Sequence, residues 1–239
     1  MLTIVVWKWR PTLGYAHAFG VEQVHTMQSM LARHLKMPHR LVCITDDPAR
    51  LRVETYPLWN DYNELPNPTG GGRPSCYRRL KIFSKECSEA FGPRILSLDL
   101  DMILVNDCTH LFDRPEPFVG LIDPHVSAMK PGALNGSMFL FDSEDPKNRA
   151  LWEEFDPQNT PREMHEAGER GSDQGWLSFR MRGCPTWDHN DGVLRFGRDI
   201  RTSDAGPPPG ARIINFAGPR KPWYPKTQQR SPWIKRYYK

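Results

Sequence analysis

Long hydrophobic runs are missing from this 239-residue sequence. No apolar stretch approaches the ~18 residues that cross a bilayer, and the opening MLTIVVWKWRP is too short and wrongly flanked for a signal peptide. Cysteine is sparse: Cys43, Cys76, Cys87, Cys108 and Cys184 are odd in number, scattered and free of CxxC pairs. That spacing argues against a disulfide framework or a zinc ribbon and for a reducing compartment, so a cytoplasmic location is expected. The eight histidines show no HExxH or HxH spacing, which argues against a zinc site. Gly70-Gly71-Gly72 is followed by no GK[ST], so it is no P-loop; its expected use is flexibility, as a lid over a bound ligand. Acidic residues stop at Asp204.

What is present describes a globular chain. At 38% hydrophobic, 11% aromatic and 25% charged residues it can bury a core, and its length fits one domain. The net charge of +4 is unevenly spread: eight basic residues follow Asp204, leaving 24 basic against 28 acidic residues over positions 1–204. A mildly acidic body thus ends in a basic tail, which suits phosphate, nucleic acid or an anionic membrane surface. The tail also carries Trp223, Tyr224, Trp233, Tyr237 and Tyr238, a mixture suited to a lipid headgroup interface. The plainer reading has those rings packing back on the domain.

Short strand-like runs alternate with helical patterns, which predicts an α/β fold. Leu2–Trp7 and Arg40–Thr45 read as strands, with a helix over Val21–Lys36 between them. Tyr77–Phe91 reads as one helix, stopped by Gly92-Pro93. Ile95–Val105, Pro117–Ile122, Ser137–Phe141, Val193–Phe196 and Ala211–Phe216 read as strands. Ser172 is placed to cap a helix running toward Arg180. Asn60–Cys76, Asp123–Gly132 and Thr202–Gly210 read as loops.

The sharpest chemical feature is Asp99-Leu100-Asp101 inside an apolar run. Residues two apart on an extended chain face the same way, so both carboxylates can converge on one point. Burying two like charges is costly unless a cation neutralises them, as Mg²⁺ or Mn²⁺ does beside substrate phosphates. A split run with both aspartates solvated in a turn is the competing reading. Four other segments join this one. Asn215–Trp223 (NFAGPRKPW) follows a strand and puts backbone amides near two cations, which suits a pyrophosphate. Tyr77-Arg78-Arg79-Leu80 opens a helix where an anion is favoured. Asn135-Gly136-Ser137 offers an amide to sugar hydroxyls, and Asp173-Gln174 offers a carboxylate and an amide at a helix start.

In this order the five segments resemble the GT-A glycosyltransferases, above all the glycogenin and bacterial lipopolysaccharide galactosyltransferase family. The likeness spans roughly residues 3 to 223, leaving 224–239 as a tail. It implies a Rossmann-like GT-A domain with a mixed central sheet and a transferase that moves a sugar from a nucleotide-diphosphate donor, expected to be a UDP-sugar, with retention. It implies Mn²⁺ or Mg²⁺ held by Asp99, Asp101 and Asn215. Trp7, Arg79, Asn135, Gly218 and Lys221 are the implied donor-binding residues, Trp7 by stacking on the base and Gly218 with Lys221 on the pyrophosphate. Asp173 and Gln174 are the implied catalytic pair, near the sugar hydroxyls and the anomeric carbon. Glycan, lipid-linked or protein acceptors fit, with peripheral membrane contact through the tail; a nucleic-acid partner is not expected.

One position departs from the family pattern. Asn215 stands where the family has a histidine ligand, which predicts a weaker and less Mn²⁺-selective site that tolerates Mg²⁺. Two other readings remain. A nucleotidyltransferase would also pair carboxylates with a nucleotide, but Trp7–Pro11 carries no glycine-rich basic signature. A non-catalytic relative could bind through its tail alone. Asp46-Asp47-Pro48 reads as a turn, and Trp187–Asp191 as a polar loop where an acceptor could also lie.

Overall fold

The computed structural model describes residues 1–10, 19–68, 75–122, 130–201 and 205–239. Its central strand, β1 (Leu2–Lys8), shows how the sequence sets the layers. Leu2, Ile4 and Val6 join one buried cluster while Val5 and Trp7 join another, the period-two pattern of a strand covered on both faces. Helix α1 (Val21–His34), β2 (His39–Thr45) and β3 (Glu54–Pro57) come next. A 3-10 segment, Tyr77–Phe83, leads to α2 (Lys85–Phe91), β4 (Arg94–Leu98), β5 (Met102–Leu104) and α3 (Thr109–Phe112). β6 (Phe118–Ile122), β7 (Leu134–Asp142), α4 (Pro146–Glu153), α5 (Thr160–Glu166) and α6 (Asp173–Arg180) follow. Then come β8 (Thr186–Trp187), β9 (Val193–Arg195), β10 (Ile213–Asn215), α7 (Pro225–Arg230) and α8 (Ile234–Tyr237).

Seven strands form one sheet in the order β3-β2-β1-β4-β7-β6-β8, and β7 runs antiparallel to both neighbours, so the sheet is mixed. A smaller sheet, β5-β10-β9, joins an antiparallel to a parallel pair. One face of the large sheet packs against α1, the small sheet and the last residues of the chain. The 3-10 segment, α2, α4 and α6 cover the other.

Four sequence expectations change. Ile95–Val105 is not one strand: it breaks into β4 and β5 at a turn made by Asp99, Leu100 and Asp101. The turn is largely buried rather than solvated, since β5 leaves for the small sheet: Leu100 and Asp101 are buried and Asp99 is half-buried. Tyr77–Phe91 is not one helix, because Ser84 Oγ accepts a hydrogen bond from Cys87 N (3.2 Å) and caps a new one. Asn135-Gly136-Ser137 lies inside β7 rather than ahead of it. Residues 224–239 are no free appendage: Ile234 is fully buried, and Trp233 packs 6.2 Å from the Phe196 ring and 6.4 Å from the Phe216 ring. The expectation for the Gly70–Gly72 loop lies outside the described residues.

Candidate active site

Where β4 ends, its ladder is extended by one bond, from Asp99 N to Ser137 O (2.8 Å), which fixes the start of the turn against β7. At the other end of the turn Phe216 N donates to Asp101 O (3.1 Å), and Asn215 pairs in register with Met102. Pairing between the two sheets' strands thus brings Asp99, Asp101 and Asn215 to one place, although Asn215 is far away in sequence. The register of β6 on β7 breaks between Gly120 and Leu121, opposite the stretch that holds Gly136 and Ser137. Such an irregularity re-aims side chains. A Cβ at Gly120 would come within 2.8 Å of Leu134 Cδ2, so a larger residue there would have to displace the Leu134 side chain.

Arg79 organises one half of the site. Its Nη1 lies 3.3 Å from Asp99 Oδ1 and its Nε 3.5 Å from Asp173 Oδ2. Nη2 donates to Gly136 O (2.7 Å) and to Ser97 Oγ (3.3 Å), and the guanidinium lies 5.3 Å from the Trp7 ring centre. Every edge of the planar fork therefore meets an acceptor or an aromatic face, which a lysine could not reproduce. Burial pushes the Asp99 carboxyl up to about 6; Arg79 works against the shift, and the Asp101 and Asp173 charges add to it. Burial also raises Asp173, again with Arg79 opposing. Ser172 sits at the N-cap of α6 but uses its hydroxyl elsewhere, accepting from Cys76 N (2.8 Å) and donating to Asp173 Oδ1 (3.3 Å).

The other half is built differently. Lys221 Nζ lies 2.5 Å from Asp101 Oδ2 and donates to Phe216 O (3.3 Å), with both side chains buried. Asp101 Oδ1 and Asn215 Oδ1 are also buried, and neither has a hydrogen-bond partner. An unpartnered buried acceptor costs about 1–3 kcal/mol. Two such oxygens, with the Asp99 carboxylate on the same turn, form an all-oxygen donor set that fits a hard divalent cation. No group of three or more His, Cys, Asp or Glu side chains able to hold a metal occurs among the described residues, so a cation here would have to take the amide oxygen of Asn215 as a ligand.

The remaining expected residues fall around these two halves. Gln174 Oε1 accepts from Gly136 N (3.2 Å), and Asn135 Oδ1 accepts from Ser137 N (2.9 Å). Gly218 lies exposed on the loop before Lys221 with a φ of +101°, a conformation that favours glycine. Trp7 differs from expectation: it is 2% exposed, edge-on to Trp9 and Trp59, and donates to Ser97 Oγ (2.9 Å). Its ring is a wall behind Arg79 and offers no open face for a base.

A small cleft of about 30 Å³ opens beside Asn135 and Asn215. Leu121, Val193 and Leu194 supply apolar walls, and Asp188 and His189 stand at its rim. The polar loop expected over Trp187–Asp191 thus borders the site. Sequence reasoning missed Ser97, which joins Trp7 to Arg79, and the Gly136 carbonyl; a small polar residue two positions before Asp99 was the only available signal.

No protein-family model and no curated protein matches the chain. Solved structures do. The galactosyltransferase LgtC, in complex with donor and acceptor sugar analogs, superposes with a TM-score of 0.59 at 14% identity, covering 99% of this chain and 96% of that one. The bifunctional glycosyltransferase WbbM, in its apo form, gives 0.58 at 11% identity over 98% of this chain and 50% of that one. The glycosyltransferase GlyE of Streptococcus pneumoniae TIGR4 gives 0.53 at 16% identity over 94% of this chain and 57% of that one. The chain therefore has the fold of these glycosyltransferases, a mixed α/β architecture of the kind the motifs anticipated.

Proposed function

We propose that this chain is a glycosyltransferase that moves a sugar from a nucleoside-diphosphate donor, a UDP-sugar, to an acceptor hydroxyl. The observation that carries the reading is the pair of partnerless buried oxygens on Asp101 and Asn215, set between the cations Arg79 and Lys221. Asp99, Asp101 and Asn215 would hold Mn²⁺ or Mg²⁺, which when bound supplies positive charge to the leaving diphosphate. Lys221 has a flexible stem, and its ammonium is the chain's own contribution to the same charge. Gly218 lets the backbone pass close to the diphosphate. Arg79 holds Asp173 and the Gly136 carbonyl in fixed positions, and Asn135 and Asp173 would take the donor sugar's hydroxyls.

Retention is part of the proposal. Asp173 is tied to Arg79 and Ser172, and Gln174 to Gly136, so neither is poised as a free strong nucleophile. Attack by the acceptor on the face the diphosphate leaves fits that arrangement, with the acceptor entering through the cleft at Asp188 and His189. Lys226, Arg230, Lys235 and Arg236 remain exposed after the tail rings pack home, so any contact with an anionic membrane would be made by charge. No helix among the described residues is long and apolar enough to cross a membrane.

Thermal unfolding with UDP, GDP, CDP and UDP-sugars, each with and without Mn²⁺ or Mg²⁺, tests the reading. Ligand at about 100 times its dissociation constant adds roughly 2.7 kcal/mol, a rise of about 5–10 °C for a domain of this size. A rise with UDP that needs the cation is expected; no rise with any nucleotide overturns the proposal. An inverted anomer in the product NMR spectrum would remove retention alone.

A further inference from the structure

The last residues of the chain pack beside the segment that carries Lys221. Arg33, exposed on α1, donates through Nη1 to Lys239 O (2.8 Å) and through Nη2 to Tyr237 O (2.7 Å). Between these two clamped carbonyls stands Tyr238, whose own N–H donates to Ile234 O (2.8 Å). Its ring lies 6.2 Å from that of Trp223, two residues after Lys221, and Trp223 in turn meets Phe19 edge-on at 5.7 Å. The ring packs on the core cluster that includes Phe216 and Met102, the neighbours of Asn215 and Asp101.

The Tyr238 hydroxyl is buried and has no hydrogen-bond partner. Burial holds the phenol above its usual range, and the charges of Asp101 and Glu22 push it the same way. A phenolic O–H is both donor and acceptor. Asp101 Oδ1 and Asn215 Oδ1 at this end of the site are orphaned acceptors, whereas Tyr238 brings an orphaned donor. A cation would satisfy the acceptors and leave the donor to find an anionic oxygen, which a diphosphate supplies.

We propose that Tyr238 is a donor-positioning residue: segment 237–239, buckled to α1 by Arg33, keeps its hydroxyl at the cation end of the site to donate to a diphosphate oxygen. The inference rests on the nucleoside-diphosphate reading. It makes the basic, aromatic tail a wall of the site, with Arg33 acting through it from the outer surface.

Calorimetric titration of UDP and of UMP, each with Mn²⁺, into the wild-type protein, Tyr238→Phe and Arg33→Gln tests it. Tyr238→Phe keeps the ring and its packing; UDP binding should weaken about tenfold while UMP binding and the ligand-free melting temperature hold. Arg33→Gln should weaken UDP binding in the same direction by a smaller factor, from a surface position where folding is not at risk. Wild-type UDP affinity in Tyr238→Phe, or equal losses for UDP and UMP, overturns the inference and leaves the donor reading intact. Failure of the wild-type protein to bind UDP, GDP or CDP overturns both.

Discussion

The two halves of the site are made of the same materials and finished differently. Around Arg79, two carboxylates, a carbonyl, a hydroxyl and an indole face share one guanidinium, so every carboxylate there has a counterion in the protein itself, although the 3.5 Å contact from Nε leaves Asp173 Oδ2 without a hydrogen bond. Around Asp101, one ammonium meets one carboxylate oxygen while the second oxygen and the Asn215 amide oxygen have no partner. The first half has the character of structural support and the second that of a receptor. A guanidinium shared among several buried partners holds them rigidly, whereas an orphaned acceptor that no cation of the protein reaches is retained where a ligand completes it.

Breaking the Arg79 half should have the largest effect. Arg79→Ala strands Asp99 and Asp173 without a counterion, a loss of about 3–5 kcal/mol. At this chain length that lowers the melting temperature by about 6 °C or more, and Arg79→Lys should recover little of it. A melt within 2 °C of wild type would show that the fork is not the support described. Asp101→Asn is the contrasting change in the open half. The amide still accepts from Lys221, so the ligand-free melt should move by only about 2–4 °C, while the cation-dependent rise of about 5–10 °C with UDP disappears. Survival of that rise would remove Asp101 from the cation set.

Asn215→His sharpens the comparison more gently by improving the receptor half. Imidazole suits a transition metal better than an amide oxygen, so Mn²⁺ binding should tighten by about tenfold and the preference for Mn²⁺ over Mg²⁺ should grow. Unchanged selectivity in a metal titration would place the ligand elsewhere.

The smallest effect is in pH, through Asp99, which stands between the halves. Its carboxyl titrates near 6 when folded, above the ordinary carboxylate range, so the folded state holds its proton more tightly than the unfolded one. This group's contribution to ligand-free stability therefore falls as pH rises from about 4 to 6. Cation-dependent UDP binding needs the ionised form and should rise through the same window. Opposite slopes in melting temperature and in UDP affinity, both flattened in Asp99→Asn, are expected; parallel slopes would assign the titration to another group.

Much of this was legible in the residues, for reasons that differ by position. Leu2–Lys8 and His39–Thr45 declare themselves because short β-branched runs buried on both faces leave few alternatives. Asp99 and Asp101 stand out because charge inside an apolar run needs a reason. The turn between them was the competing reading, since an extended chain and a tight turn both bring residues two apart together; its burial was not legible, because the second sheet that covers it forms from distant strands. Ser84 was legible in principle, as a capping residue in the middle of a helical pattern. Trp7 was misplaced because a strand end says nothing about what covers each face, and Trp59 and Ser97 arrive from far along the chain. The tail was undecidable for the same reason: its anchor is Arg33, 204 and 206 positions from the carbonyls it holds.

The pairing of β5 with β10 has a consequence in time as well as in space. Asp101 and Asn215 become neighbours only when a strand near the end of the chain docks beside one from its middle, and such long loops close slowly. During synthesis the chain through β8 can assemble the large sheet and seat Arg79 on Gly136 and Asp173 before residue 215 has been made. The proposed cation site would then form later, and in a refolding experiment the recovery of metal-dependent UDP binding should lag the recovery of helix and sheet signal.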